Sequence, residues 1–465
     1  MYELIVYGVL YALWFGVVIY RTRIAVLLLP IFFPFYLLRI DVSGIPIYFV
    51  EGLIVLAAIP VFYKILKGEH HEILSKDIPE KIKFFFKNLF GKKEKPFVDF
   101  LKSPFLPISL FLIACLISAT IVPGESFKQA LGILKSWIIV PLIFFVIFYK
   151  TVKSKRDISF AMKAYVASVI VLALWALYQA LSGQYVTIDD RVSGPFESAN
   201  YLALYMSPAL IFVSVRFIQT FLHRRFETAD KMWNDVERRV YVAPIVALLF
   251  AVLVLTQSYG GVIGVFGALF IYIIYERSIM PKGIGRTFLN KLIVFIVLIF
   301  VAGSALTVAL NSEKFTNLTK LDEQTSIATR VEIWSVGTHL IKENPLLGIG
   351  LGQYEANYVE RAEEILGKKP YEEKRLHSHN IFLEFWLNSG LLGLISFIWI
   401  VVLAYMQILK PLSRSDKHIQ IAGLVILTYI MLHGLIDVPF WKNDLALLFW
   451  LVVGSIFAQT KLPRS

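Results

Sequence analysis

The sequence predicts an all-α protein: a polytopic transmembrane helical bundle of about 12–13 helices with a large outward loop. Three observations predict it. Hydrophobic runs of roughly 17–25 residues recur from end to end, each long enough to cross a bilayer of about 30 Å. The 465 residues are 57% hydrophobic and 17% charged, with mean hydropathy +0.68, against about 45–50% and about 25% for a soluble domain. Lys and Arg, finally, crowd into alternate loops. These features exclude a soluble enzyme, a disordered chain and a disulfide-rich secreted domain. Cys115 is the one cysteine and lies within an apolar run, so it forms no internal disulfide or cysteine-based metal site.

Thirteen hydrophobic segments follow in order: 4–20, 24–40, 46–66, 105–122, 129–149, 158–181, 198–217, 240–256, 260–275, 292–310, 381–404, 419–436 and 445–459. Each must be helical, because hydrocarbon offers no partner to an unpaired backbone amide. The first lacks the basic start and small-residue cleavage site of a signal peptide and is expected to be retained. One set of alternating loops carries 31 Lys and Arg, the other 12, and Arg39, Lys135 and Lys163 fall inside apolar segments. Basic loops mark the cytoplasmic side. The long 311–380 segment and the 182–197 loop therefore face outward, and the C-terminus is cytoplasmic. The expected organisation is N-terminal transmembrane helices at 1–66, a basic cytoplasmic loop at 67–104, a transmembrane core at 105–310, the outward loop at 311–380 and C-terminal transmembrane helices at 381–465.

The net charge of +12 is explained by anionic inner-leaflet lipid as partner. No basic soluble face for nucleic acid is evident. The stretch 76–90 suits an interfacial helix: Asp77 can cap it, Pro79 fits its first turn, and Ile78, Ile82, Phe85, Phe86 and Leu89 share a face opposite Lys81, Lys83 and Lys87.

The outward loop has order of its own. Thr325 or Ser326 can cap a helix through ATRVEIWSVGTHLIKEN, which ends at Asn344-Pro345. The glycine-rich LLGIGLG (346–352) turns the chain, and YEANYVERAEEILG forms a second helix ending at Gly367. Nine basic and eleven acidic residues balance the loop, so an anion site there must come from placement. LGIGLG follows a helix and no strand precedes it, so it is no dinucleotide fingerprint. The pair at 260–261 reads as a tight outward turn.

Several cations lie toward the outward half: Arg39, Lys135, Arg191 and Arg330. A charge in a membrane segment tends to face a protein interior or watery cavity, and arginine's forked donors match phosphate oxygens. Snorkelling to the headgroups is the competing reading for Arg39, Lys163 and Lys135, and an exposed helix surface for Arg330. His377 and His379 flank Ser378 where the chain re-enters the membrane. Histidine titrates near neutrality and can take a proton from a hydroxyl. Capping of the next helix is the structural alternative, and metal binding is disfavoured because no further ligand cluster accompanies them. His433 and Asp437, one turn apart, can pair.

These blocks come in an order: RVSGPFESANYLA (191–203), TQSYGG (256–261), TRVEIW (329–334), NPLLGIGLGQY (344–354) and HSHNIFLEFWLNSGLLGL (377–394). Together they resemble the O-antigen ligase and O-antigen polymerase superfamily over about residues 160–440. The resemblance implies a GT-C-like fold and metal-independent transfer of a glycan from a polyprenyl-diphosphate carrier at the outer face of the cytoplasmic membrane, with no cofactor. It implies that Arg330 grips the donor diphosphate, that His379 is the base for the acceptor hydroxyl with His377 the second choice, and that Arg191 aids the donor. Asn200, Asn380 and Tyr259 would support these residues. Family ligases commonly carry a Ser-Arg-Gly turn, whereas this chain has Ser258-Tyr259-Gly260, so Lys135, Arg39 or Arg191 would replace the missing charge. The acceptor is a glycan, a lipid or a protein, so polymerase and protein oligosaccharyltransferase are the alternatives. A lipid or polysaccharide transporter is the competing class, though no internal repeat of the transporter kind is visible.

Overall fold

The computed structural model describes residues 2–42, 45–67, 103–187, 190–222, 229–279, 326–407 and 417–459, with single positions near 283–292 and 461–462. The expected interfacial helix at 76–90, nearly all of the segment at 292–310 and the start of the 311–380 loop lie outside them.

The chain opens with α1 (Tyr2–Leu28) and a 3-10 stretch, Leu29–Leu37. Backbone dihedrals break at Arg21 (φ −141°, ψ 55°). The Trp14 and Phe32 rings nevertheless sit 5.3 Å apart, although a straight helix would separate them by about 27 Å. The chain therefore folds back at Arg21, forming the two arms that the sequence predicts. Pro30 and Pro34 lack amide donors and favour the tighter helix in the second arm. A short hairpin follows, β1 (Arg39–Val42) antiparallel to β2 (Ile45–Tyr48), with Arg39 opposite Tyr48. It is the one sheet among the described residues, and hydropathy alone did not signal it.

Next come α2 (Phe49–Leu66) and α3 (Phe105–Thr120). After these, α4 (Phe127–Ile133), a π-helical turn (Leu134–Ile139) and α5 (Val140–Thr151) run on as one apolar stretch, Gly124–Thr151. Then α6 (Lys155–Ser182) is capped by Ser154 and ends at left-handed Gly183. The remaining elements of this half are α7 (Ala199–Leu222), α8 (Ala229–Leu255) and α9 (Tyr259–Ile279). Gly260 and Gly261 are not a turn: they lie in the first turn of α9, where a Cβ would collide with His433 and crowd Ala203. The reversal falls just before, at Gln257 (φ +51°).

Within the 311–380 segment, α10 (Ser326–Glu343) and α11 (Tyr354–Leu366) form where the sequence predicts them. They share a small core of Ile333, Val336, Leu340, Tyr354 and Tyr358. The chain then enters α12 (Ile381–Met406), α13 (Lys417–His433) and α14 (Asn443–Gln459).

α12 is bent. Gly390 adopts φ +65°, ψ −174°, and Phe385 and Phe397 stack 3.9 Å apart where a straight helix would hold them about 18 Å apart. The glycine loop seats against this bend. Ile349 N–H donates to Leu387 O at 2.9 Å, and Leu391 N–H donates to Leu346 O at 3.0 Å. Gly352 N–H donates to Asn388 Oδ1 at 2.7 Å. The glycines of LLGIGLG thus serve close backbone approach. Beneath the bend, Phe111, Phe385, Phe397, Phe440 and Phe449 make an aromatic core, each pair contributing about 0.5–1.5 kcal/mol.

By length and apolar composition, seven helical stretches among the described residues suffice to cross a membrane: Ile5–Leu37, which the break at Arg21 folds into two arms, Phe49–Leu66, Gly124–Thr151, Lys155–Ser182, Ala199–Gln219, Tyr259–Ser278 and Ile381–Met406. Four shorter apolar helices accompany them. Their outer faces expose large apolar side chains such as Leu13, Val171 and Ile263, the surface that a lipid solvent permits. The protein is a multi-pass helical membrane protein.

Candidate functional site

The site grows from the turn at 377–380. Asn380 caps α12: its Oδ1 accepts from the amides of Phe382 and Leu383 at 3.0 and 3.1 Å, and its Nδ2 donates to Leu435 O at 3.0 Å. The cap is the asparagine, which leaves both histidines to other partners. Ile381 N–H reaches Gly434 O at 2.7 Å, fastening the turn to the loop between α13 and α14. His379 is held at φ +47°, a region costing a side-chain-bearing residue about 1–3 kcal/mol that surrounding contacts must hold. Trp334 of α10 adds a bond from Nε1 to His379 O at 3.4 Å.

Each histidine has a buried carboxylate behind it. His379 Nδ1 lies 3.4 Å from Asp437 Oδ1, and His433 Nε2 lies 4.0 Å from Asp437 Oδ2. Burial pushes the Asp437 carboxyl up, but pairing with His379 and the nearby His433 outweighs it and holds the carboxyl below its usual range. His377 Nδ1 lies 3.6 Å from Glu384 Oε1, and its Nε2 is 3.2 Å from Tyr201 Oη. Glu384 also accepts from Ser378 N–H at 2.7 Å and Asn388 Nδ2 at 2.9 Å. Both nitrogens of His377 are therefore engaged. Among the described residues, neither ring nitrogen of His379 makes a hydrogen bond: Nδ1 is buried 3.4 Å from Asp437 Oδ1 without closing one.

Arg330 reaches the same loop, its Nε donating to Ile436 O at 3.1 Å. Burial lowers its guanidinium from the ordinary value, and the Asp437 charge opposes that shift. Arg191 joins from the α6–α7 connection. Gln179 holds the backbone there at Ser193 and Gly194, and Arg191 Nη1 approaches Thr256 O at 3.5 Å, just before α9. Gly260, two residues past Ser258, packs on His433. Arg330, Arg191, His377, His379 and Asn380 thus converge on one end of the bundle. Asn200 stands in the first turn of α7, its N–H on Ser198 Oγ at 3.2 Å. Tyr259 opens α9 half-exposed.

Lys135 and Arg39 form a different group. Lys135 Nζ is 2.7 Å from Glu51 Oε2 and 2.6 Å from Pro46 O, with the Tyr48 ring nearby. Arg39 hydrogen-bonds the Tyr48 side chain. Both cations are occupied with the hairpin and the start of α2.

Sequence reasoning missed three residues. Glu384 is the only charged side chain in α12, and a lone buried charge in a span was the available signal. Tyr201 and Lys442 had none. Lys442 sits in an aromatic box, its Nζ 3.6, 5.1 and 5.3 Å from the ring centres of Tyr201, Tyr36 and Phe196. Burial lowers its ammonium, and Asp444 and Glu197 oppose that. Among the described residues, no group of three His, Cys, Asp or Glu gathers to hold a metal ion.

This multi-pass helical membrane protein gathers arginines and carboxylate-backed histidines at one end of its bundle. Comparison with known proteins narrows the class. Residues 244–398 match the profile of a family described as O-antigen ligase, bearing out the likeness that the sequence blocks carry. The exopolysaccharide production protein ExoQ of Rhizobium meliloti (strain 1021) is 31% identical over 97 residues, 20% of this chain and 22% of that protein. An uncharacterized protein of Haemophilus influenzae is 28% identical over 158 residues, 30% and 39% of the two chains. A protein of Rickettsia conorii named as a candidate polysaccharide ligase, RC0486, is 29% identical over 147 residues, 31% and 32%. The likeness therefore spans between 22% and 39% of these relatives' lengths.

Proposed function

We propose that this protein transfers a glycan from a polyprenyl-diphosphate carrier to an acceptor hydroxyl at the outer face of the cytoplasmic membrane, without a metal. The acceptor oxygen bonds to the anomeric carbon, the bond from that carbon to the diphosphate breaks, and the electron pair leaves with the diphosphate. Arg330, aided by Arg191, stabilises the developing charge in a low-dielectric site. His379 Nε2 takes the hydroxyl proton while Asp437 fixes the ring through Nδ1, a contact that tightens when substrate is bound. The membrane holds the carrier headgroup and acceptor at one depth, which lowers the entropic cost of their meeting. Lys135 and Arg39 are engaged with the hairpin and the start of α2, whereas Arg330 and Arg191 reach loops at the end of the bundle that carries the histidines, so donor binding is assigned to these two arginines. The 311–380 loop is the cover over the reacting groups.

The observation that carries the choice of base is the difference between the histidines. His377 Nε2 is held 3.2 Å from Tyr201 Oη and its Nδ1 faces Glu384, whereas neither ring nitrogen of His379 is hydrogen-bonded among the described residues. The test is to size glycans in the native host carrying Arg330→Ala or His379→Ala. Long polymer stranded on the carrier identifies final transfer, hence a ligase. Single repeat units in place of long chains identify a polymerase, and loss of protein glycans identifies a protein oligosaccharyltransferase. An unchanged profile in both strains overturns the assignment.

A further inference from the structure

A cavity of about 800 Å³ opens at the other end of the bundle. Its position follows from α6: Lys155 begins that helix beside the cavity, while Gln179, near the far end, holds the backbone beside Arg191. At about 1.5 Å per residue the two ends of α6 are about 40 Å apart, roughly the thickness of a bilayer with its headgroups.

We propose that this cavity binds the phosphate headgroup of an anionic phospholipid. Arg23, Lys153, Lys155 and Arg156 line it, against one carboxylate, Asp157. That carboxylate is already taken. Arg23 Nη2 lies 2.6 and 2.7 Å from its two oxygens, and the amides of Lys153 and Ser154 donate to Oδ2 at 2.7 and 2.9 Å. Asp157 and Ser154 thereby close the helix N-terminus, so an incoming anion meets the cationic side chains. Four positive charges and one negative leave the cavity strongly electropositive, and arginine's planar fork matches phosphate oxygens. Ile24 and Phe160, each 43% exposed, line the same cavity. An amphiphile that carries phosphate and hydrocarbon together satisfies both surfaces, whereas a free phosphate uses only one. Arg23 comes from the fold-back of α1, so a bound headgroup would bridge α1 and α6.

Native mass spectrometry of the full chain in detergent tests this, with dioleoylphosphatidylglycerol, dioleoylphosphatidylcholine and inorganic phosphate as probes. The expected result is one retained phosphatidylglycerol, held at least tenfold more tightly than phosphatidylcholine and not displaced by millimolar phosphate. Lys153→Gln with Arg156→Gln spares the Arg23–Asp157 pair and is expected to weaken retention about thirtyfold. The charge-conserving pair Lys153→Arg with Arg156→Lys is expected to keep it. Wild-type affinity in the neutral double variant overturns the site. Equal retention of phosphatidylcholine overturns the charge argument, and displacement by phosphate assigns the cavity to a free anion and overturns the lipid.

Discussion

Gly348 and Gly390 interlock where the glycine-rich loop meets bent α12. A Cβ on Gly348 would run into the carbonyls of Trp386 and Leu387, and one on Gly390 into the backbone of Leu346 and Leu347. Both residues have positive φ, +70° and +65°. The loop therefore wedges into the bend that sets the direction of the helix beginning just after His379.

Gly348→Ala is expected to destabilise the protein by about 2–4 kcal/mol, combining left-handed strain with an overpacked contact. Gly367→Ala is the control. Its φ is +66° but a Cβ there meets open space, so the expected cost is about 1 kcal/mol. Thermal unfolding in detergent compares them, and equal losses would contradict the wedge.

Asn380→Ala removes two cap bonds to α12 and the tie to Leu435. A loss of about 0.5–2 kcal/mol in unfolding measurements is expected, along with reduced transfer because the adjacent His379 is no longer held. Asn380→Asp keeps the cap and is expected to recover most of the stability.

Glu343 ties α10 to α11 through Arg361, with Nη–Oε distances of 2.6 and 2.7 Å. The hydrogen bonds from Arg361 and its charge lower the Glu343 carboxyl from 4.5 to about 2. A depressed carboxyl contributes stability that is present above 4.5 and lost as pH falls toward 2. Hydrogen exchange of α10 and α11, corrected for intrinsic rates, should show Glu343→Gln more open than wild type at pH 6. That difference should fade by about pH 2. The pair is exposed, so the effect is expected to be small.

Asp437→Asn preserves shape and removes the charge facing His379 and Arg330. A drop of about 10²-fold in kcat is expected, with little change in KM for the acceptor, because the residue acts through His379. Loss of fold alone would instead lower the amount of active protein, and active-site titration separates the two.

The membrane class was legible because helices must satisfy their own amides in lipid, which leaves long apolar runs. The two loop helices were legible from Asn344-Pro345 and Gly367. The bend at Gly390 was not: two glycines, Gly390 and Gly393, in an apolar run read as part of a span, and only the loop pressed against the first shows the break. The first-arm turn at Arg21 was marked by its charges, while the hairpin at 39–48 was hidden by apolar residues on both strands. At the site, the histidines stood out as titratable groups at a helix start. Their carboxylates did not, because Asp437 comes 58 positions after His379 and only packing brings it there. Lys135 shows the converse. Its depth suggested a substrate charge, but its partner Glu51 lies 84 residues earlier.

The central claim is that His379 is the base. Single-turnover transfer from a polyprenyl-diphosphate-linked glycan, measured on purified protein in nanodiscs, compares His379→Ala with His377→Ala. The expected rate loss is about 10²–10⁴-fold for His379→Ala and under about tenfold for His377→Ala, which disturbs only Tyr201 and Glu384. A larger loss from His377→Ala than from His379→Ala would contradict the account.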